Sequence, residues 1–93
     1  MNAIEISKEE IARLPIRARE ATMNPEEQLR RRLNLQKAAW LGNTHKHKVT
    51  LSFRADQSLY AVQTTVWSVT DTHVGLKGGV VVPIANIERV DLC

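Results

Sequence analysis

Three adjacent arginines, Arg30-Arg31-Arg32, with Lys37 further along the same predicted helix, are the side chains best suited by type to grip a charged partner. Guanidinium groups pair bidentately with phosphates and carboxylates. Lys46 and Lys48 continue the cationic run, so the candidate polyanion-binding set is Arg30, Arg31, Arg32, Lys37, Lys46 and Lys48. Successive helical residues lie ~100° apart, so the three arginines cannot all face one way. A solvated, ion-paired helix face is the plainer account of such a run.

His45 and His47 stand at i, i+2 in the same stretch. In an extended segment they point together and could share a metal. A zinc site needs three or four ligands, and His73 and Cys93 are distant additions with no connecting motif. A solvated loop is the preferred reading, and no metal or cofactor is expected. Asp56, Asp71, Glu88 and Asp91 sit at predicted turns or strand ends, without the spacing of an acid–base pair. Gly75, Gly78 and Gly79 precede no helix start, which a phosphate-binding loop requires. The chain has no Gly-x-Ser-x-Gly element, and its single cysteine, Cys93, has no evident base partner. Nothing positive points to catalysis, and the expectation is that this is not an enzyme.

The elements that position these residues follow from periodicity and punctuation. Asn24-Pro25-Glu26-Glu27 combines a cap, a first-turn proline and two carboxylates at the positive end of a helix dipole. The helix should run over about 25–41 and stop at Gly42-Asn43. Leu29, Leu33, Gln36 and Trp40 fall on one face, widened by Leu35 and Ala39, and are expected to bury against the rest of the fold. Arg30, Arg31 and Lys37 lie off that stripe and are expected in solvent. Ser7 and Glu10 form a second capping-box pattern, which allows a short helix over about 8–14, limited by Pro15. The apolar residues Ile4, Ile6, Ile11, Leu14 and Ile16 mean that this arm docks on its own domain or on a neighbouring subunit, or else stays disordered.

From Lys48 onward the pattern is β. Val49, Leu51 and Phe53 alternate with polar residues, and Asp56-Gln57-Ser58 is a turn. A long strand over 59–69 carries apolar residues on both faces, so either both faces are covered or a bulge shifts the register near Val66-Trp67. Val74 and Leu76 lead to the Gly78-Gly79 hairpin, and 80–82 pairs back. A tight helical turn over 83–87 precedes a closing strand at Val90 and Leu92. The two tryptophans, Trp40 and Trp67, sit at apolar positions of periodic elements and are read as packing of helix against sheet.

The tail Val74-Gly75-Leu76-Lys77-Gly78-Gly79-Val80-Val81-Val82-Pro83-Ile84-Ala85-Asn86-Ile87 is similar to that of YolD-like bacterial proteins. The order of capped helix, bent strands and a short turn before the last strand resembles small SH3-like or Sm-like barrels. The resemblance covers roughly the last half of the chain and implies a small β-barrel. No Sm-type RNA-binding signature accompanies it, so no binding residues are carried over.

The expected architecture is therefore α+β. A helix at about 25–41, with a short helix at 8–14 ahead of it, packs on a four- or five-stranded antiparallel SH3-like barrel or curled sheet. One domain spans 1–93: an arm (1–23), the helix (24–42) and the barrel (46–93). Ninety-three residues give only a thin core. The net charge of +3 is uneven, with ten Lys/Arg against six Asp/Glu up to Lys48 and three against four beyond. The opening residues lack a signal-peptide pattern, and no stretch approaches the ~18 apolar residues of a membrane span, so a cytoplasmic protein without membrane contact is expected. The expected function is a non-catalytic interaction module that self-associates as a homodimer or binds a protein partner. The alternative is an RNA- or nucleic-acid-binding small barrel using the basic helix face.

Overall fold

Two capping boxes set where the helices begin. In each, an N-cap side chain accepts from the backbone N–H three residues on, whose own carboxylate accepts from the N-cap N–H. Ser7 and Glu10 do this for α1 (Lys8–Ile11), and Asn24 and Glu27 for α2 (Pro25–His45). The Asn24 Oδ1 accepts from Glu27 N at 2.8 Å, and Glu27 Oε1 from Asn24 N at 3.2 Å. The computed structural model describes residues 3–14, 16–17, 23–55 and 57–92. The roles expected of Pro15, Asp56 and Cys93 lie outside them.

The long helix does not stop at Gly42-Asn43. It continues to His45 and ends in a left-handed cap at Lys46 (φ 53°, ψ 34°), whose N–H donates to the Gly42 carbonyl at 3.0 Å. Side chains of the last turn explain the extension. Asn43 Nδ2 donates to the carbonyls of Ala39 (2.8 Å) and Trp67 (2.9 Å), and Thr44 Oγ1 donates to that of Trp40 (2.6 Å). These bonds hold Asn43 and Thr44 in helix and push the cap three residues on.

Among the described residues the strands are β1 (Ile4–Ile6), β2 (Val49–Ala55), β3 (Ser58–Thr64), β4 (Val66–Val69), β5 (His73–Leu76), β6 (Val81–Pro83) and β7 (Ile87–Asp91). They form two sheets, a mixed one in the order β1-β3-β2-β7 and an antiparallel one in the order β4-β5-β6. The α+β class is as expected, but in place of one antiparallel barrel or curled sheet of four or five strands there are two sheets, one of them mixed, and among the described residues no closed barrel forms. The predicted long strand splits at Thr65, one residue that passes the chain from the first sheet to the second. Register shifts between Val66 and Ser68, which leaves Trp67 as the bulged residue and turns the strand. The Thr65 carbonyl then accepts from Lys77 N at 3.0 Å, tying the bend to the second sheet. Gly78 and Gly79 both take positive φ, 91° and 82°, at the β5–β6 hairpin. A 3₁₀ turn (Ile84–Asn86) leads into β7, with Ile84 and Ile87 buried as the i, i+3 spacing predicts.

The N-terminal arm docks on its own chain. β1 pairs in parallel with β3, placing Ile4 opposite Tyr60 and Ile6 opposite Val62. That covers an edge which would otherwise offer unpaired backbone groups. Ile11 is buried, and Ile6, Leu14 and Ile16 pack against the core. Asn86, itself buried, fastens the arm: its Nδ2 donates to the carbonyls of Arg17 (2.8 Å) and Arg54 (2.9 Å).

The inward face of α2 is not the one expected. Arg31, Leu35, Ala38 and Gly42 are buried, while Leu29, Leu33 and Trp40 are exposed. Trp67 also stands exposed, so neither tryptophan packs the helix against the sheet. The reason is distance. A Cβ on Gly42 would lie 2.2 Å from the Val66 carbonyl oxygen and 2.9 Å from Thr65 Cγ2. The helix backbone rests directly on the start of β4, and only small residues permit that approach. Leu35 and Ala38 fill the remaining space above the sheet core of Val49, Leu51, Phe53, Val62 and Val66.

Two stability outcomes follow from this seating. In an ordinary helix interior, glycine to alanine gains about 1 kcal/mol; Gly42→Ala should instead lose about 1–3 kcal/mol through overpacking against backbone, measured by urea unfolding. Leu35→Ala should cost about 2–5 kcal/mol, while Leu33→Ala stays within about 0.5 kcal/mol. Equal losses at the two leucines would mean that the helix is rotated otherwise.

Candidate functional site

At 1.5 Å per residue, α2 is a rod ~31 Å long. At ~100° per residue, the buried residues 31, 35, 38 and 42 define one face, and residues 29, 33, 36 and 40 lie roughly opposite. Leu29 is 59% exposed, Leu33 55% and Trp40 60%. Gln36 fills the gap between Leu33 and Trp40 and is also exposed. Large apolar side chains scattered singly over a surface are unremarkable, but three in one line along a rigid rod make a patch. The Trp40 indole meets the His45 ring edge-on, with centroids 5.7 Å apart and planes at 72°. That contact orients the indole at the C-terminal end of the stripe.

Charged residues border the stripe unevenly. Arg30 and Lys37 fall along one edge and Arg32 along the other. Glu26 stands one turn before Arg30, with Oε1 3.9 Å from its Nη2. Exposed pairs at this separation hold loosely.

The six predicted polyanion contacts do not share one surface. Arg31 turns inward, and its Nη1 donates to the Ile87 carbonyl at 3.0 Å. Ile87 lies where the β2–β7 register shifts, and the guanidinium serves a carbonyl at that irregularity. Arg32 Nη2 donates to the Asp71 carbonyl at 3.0 Å. Arg30, Lys37, Lys46 and Lys48 are exposed, the first two on the rod and the last two beyond its end. Arg31 is therefore a structural residue, and the expectation that it would remain solvated is corrected. Its place was marked in the sequence only by Leu35, Ala38 and Gly42 at helical spacing after it.

Among the described residues one depression lies beside the helix and another on the second sheet. A polar cleft of about 360 Å³ lies between α2 and β7, with Glu27, Arg30, Arg31, Glu88 and Arg89 on its walls. Both carboxylates are already engaged, Glu27 in the helix cap and Glu88 with Arg54. A shallower apolar groove of about 420 Å³ crosses the second sheet between Trp67, Gly75 and Val81. Gly75 makes its floor, because a Cβ there would meet Ser68 Oγ at 2.4 Å.

The histidines are dispersed. His45 lies against Trp40, His47 Nε2 is 2.7 Å from the Leu92 carbonyl, and His73 Nδ1 is 2.8 Å from Thr72 Oγ1. Among the described residues no group of three or more His, Cys, Asp or Glu side chains is arranged to hold a metal ion. Among them, too, no helix is long and apolar enough to cross a membrane. The surface that stands out is the outer stripe of α2, which can bind an apolar ridge or helix and has polar residues around it. Comparison with family models, with curated proteins and with solved structures found no match to the chain.

Proposed function

We propose that this chain is a small, non-catalytic cytoplasmic interaction module that docks a protein partner on the outward face of α2. The observation that carries this reading is the alignment of Leu29, Leu33 and Trp40, each more than half exposed, along one rod. Full burial of such a side chain is worth about 1.5–3 kcal/mol, so a partner that covers the stripe gains substantially. Tryptophan is among the residues enriched at binding hot spots, and Arg30 and Lys37 supply a polar rim. The opposite face of the same helix is locked by Leu35, Ala38 and Gly42, so the stripe is presented without an ordering cost.

The strand order supports an SH3-like reading of the scaffold. β2 lies between β3 and β7, β3 runs through Thr65 into β4 of the other sheet, and a 3₁₀ turn precedes the last strand. In this reading the two sheets are halves of an open small barrel, with α2 laid across them. Nucleic-acid binding finds less support, because Arg31 and Arg32 are committed to backbone carbonyls and the remaining cations are strung out.

A benzophenone amino acid in place of Gln36 tests the proposal in the cells that natively produce the chain. Irradiation should give a protease-sensitive, nuclease-resistant adduct that Leu33→Glu abolishes. A nuclease-sensitive adduct, or no adduct, would overturn the docking reading.

A further inference from the structure

We infer that the occupant of this face is a second copy of the same chain, with the two α2 helices antiparallel; the inference rests on the reading of α2 as a docking surface. The stripe is self-complementary in that orientation. Its midpoint falls between residues 34 and 35, so a two-fold axis there sets residue i opposite residue 69 − i. Leu29 then meets the partner's Trp40, and Leu33 meets the partner's Gln36. Each end of the stripe is covered by the other, and the two glutamine amides lie near the axis, where they can bond to each other.

Charge selects the same orientation. The first turn of α2 carries Glu26 and Glu27, and its far end runs into His45, Lys46 and Lys48. Antiparallel pairing lays the acidic end of each helix beside the basic end of the other, twice over by symmetry, and opposes the two helix dipoles. Parallel pairing would set Glu26 against itself and Lys46 against itself. One mismatch remains: Arg30 and the partner's Lys37 share an edge. Glu26 beside Arg30 offsets part of it, and the mismatch gives a lever for testing the register.

The area fixes the strength. The three apolar side chains present on the order of 300 Å², well below the ~800 Å² per partner of a standard stable interface. Gln36 within the stripe and Lys37 on its edge add to this. The dimer is therefore a reversible one that forms as concentration rises. β1 already covers the edge of β3 within its own chain, so that edge is not offered to a second copy.

Sedimentation equilibrium of the full chain from ~1 to ~500 µM decides the matter. The weight-average mass should climb from the monomer's 10.5 kDa toward twice that value. Trp40→Glu should remain monomeric throughout with an unchanged melting temperature. Lys37→Glu, which places a carboxylate opposite Arg30 of the partner subunit, should dimerise at concentrations about five-fold lower. A wild-type chain that remains monomeric to the top of the range would overturn the inference. So would Trp40→Glu associating as readily as wild type, or Lys37→Glu associating more weakly. In each of those cases a Gln36 photo-adduct to a different protein would leave the docking reading standing with another occupant.

Discussion

The contact between the α2 backbone and the Val66 carbonyl at Gly42 fixes the rest of the arrangement. It leaves no room for a side chain, so it sets both the height and the rotation of the helix over the sheets. With Gly42 pointing down, Ala38 and Leu35 must point down as well, because they lie one and two turns back on the same face. Arg31 follows by the same geometry and finds its hydrogen bond at the Ile87 carbonyl. The opposite face is then left to Leu29, Leu33 and Trp40. Their exposure is the consequence of a close approach elsewhere.

The sheets are arranged to receive that helix. Thr65 and the bulge at Trp67 turn one long strand through both sheets, which puts the start of β4 under the C-terminal half of α2. Asn43 reinforces the seat by donating to the Trp67 carbonyl across the same junction. At the other end, Asn86 in the 3₁₀ turn donates to the Arg17 and Arg54 carbonyls, which ties the N-terminal arm to β2 beside the approach to β7. The arm thereby enlarges a core that 93 residues would otherwise leave thin.

Much of this was legible in the sequence. Period-two alternation located β2, the glycine pair located the hairpin, Pro83 announced the 3₁₀ turn, and both capping boxes formed as written. The helix face was not legible, because two stripes share the same spacing. Leu29, Leu33, Gln36 and Trp40 offered bulk along the whole stripe, whereas the other stripe, Arg31, Leu35, Ala38 and Gly42, ends in two small residues. Ordinary hydrophobic reasoning favours bulk, but seating a helix on a backbone carbonyl favours smallness. The helix end was missed because Asn43, read with Gly42 as the stop, and the following Thr44 satisfy carbonyls of the preceding turn. The parallel pairing of β1 was hidden by its three-residue length and by a partner more than fifty residues away. The cationic set was read from adjacency in sequence, and the helix disperses adjacent residues around its axis.

A helix seated at Gly42 turns Trp40 and its stripe outward. Acrylamide quenching of Trp40 fluorescence in a Trp67→Phe background, at concentrations low enough to keep the chain monomeric, tests it most directly. The expected result is red-shifted emission and efficient quenching, below that of free tryptophan amide because the indole lies against His45 and the helix. A blue-shifted indole quenched several-fold less would place Trp40 inside the fold and contradict the account.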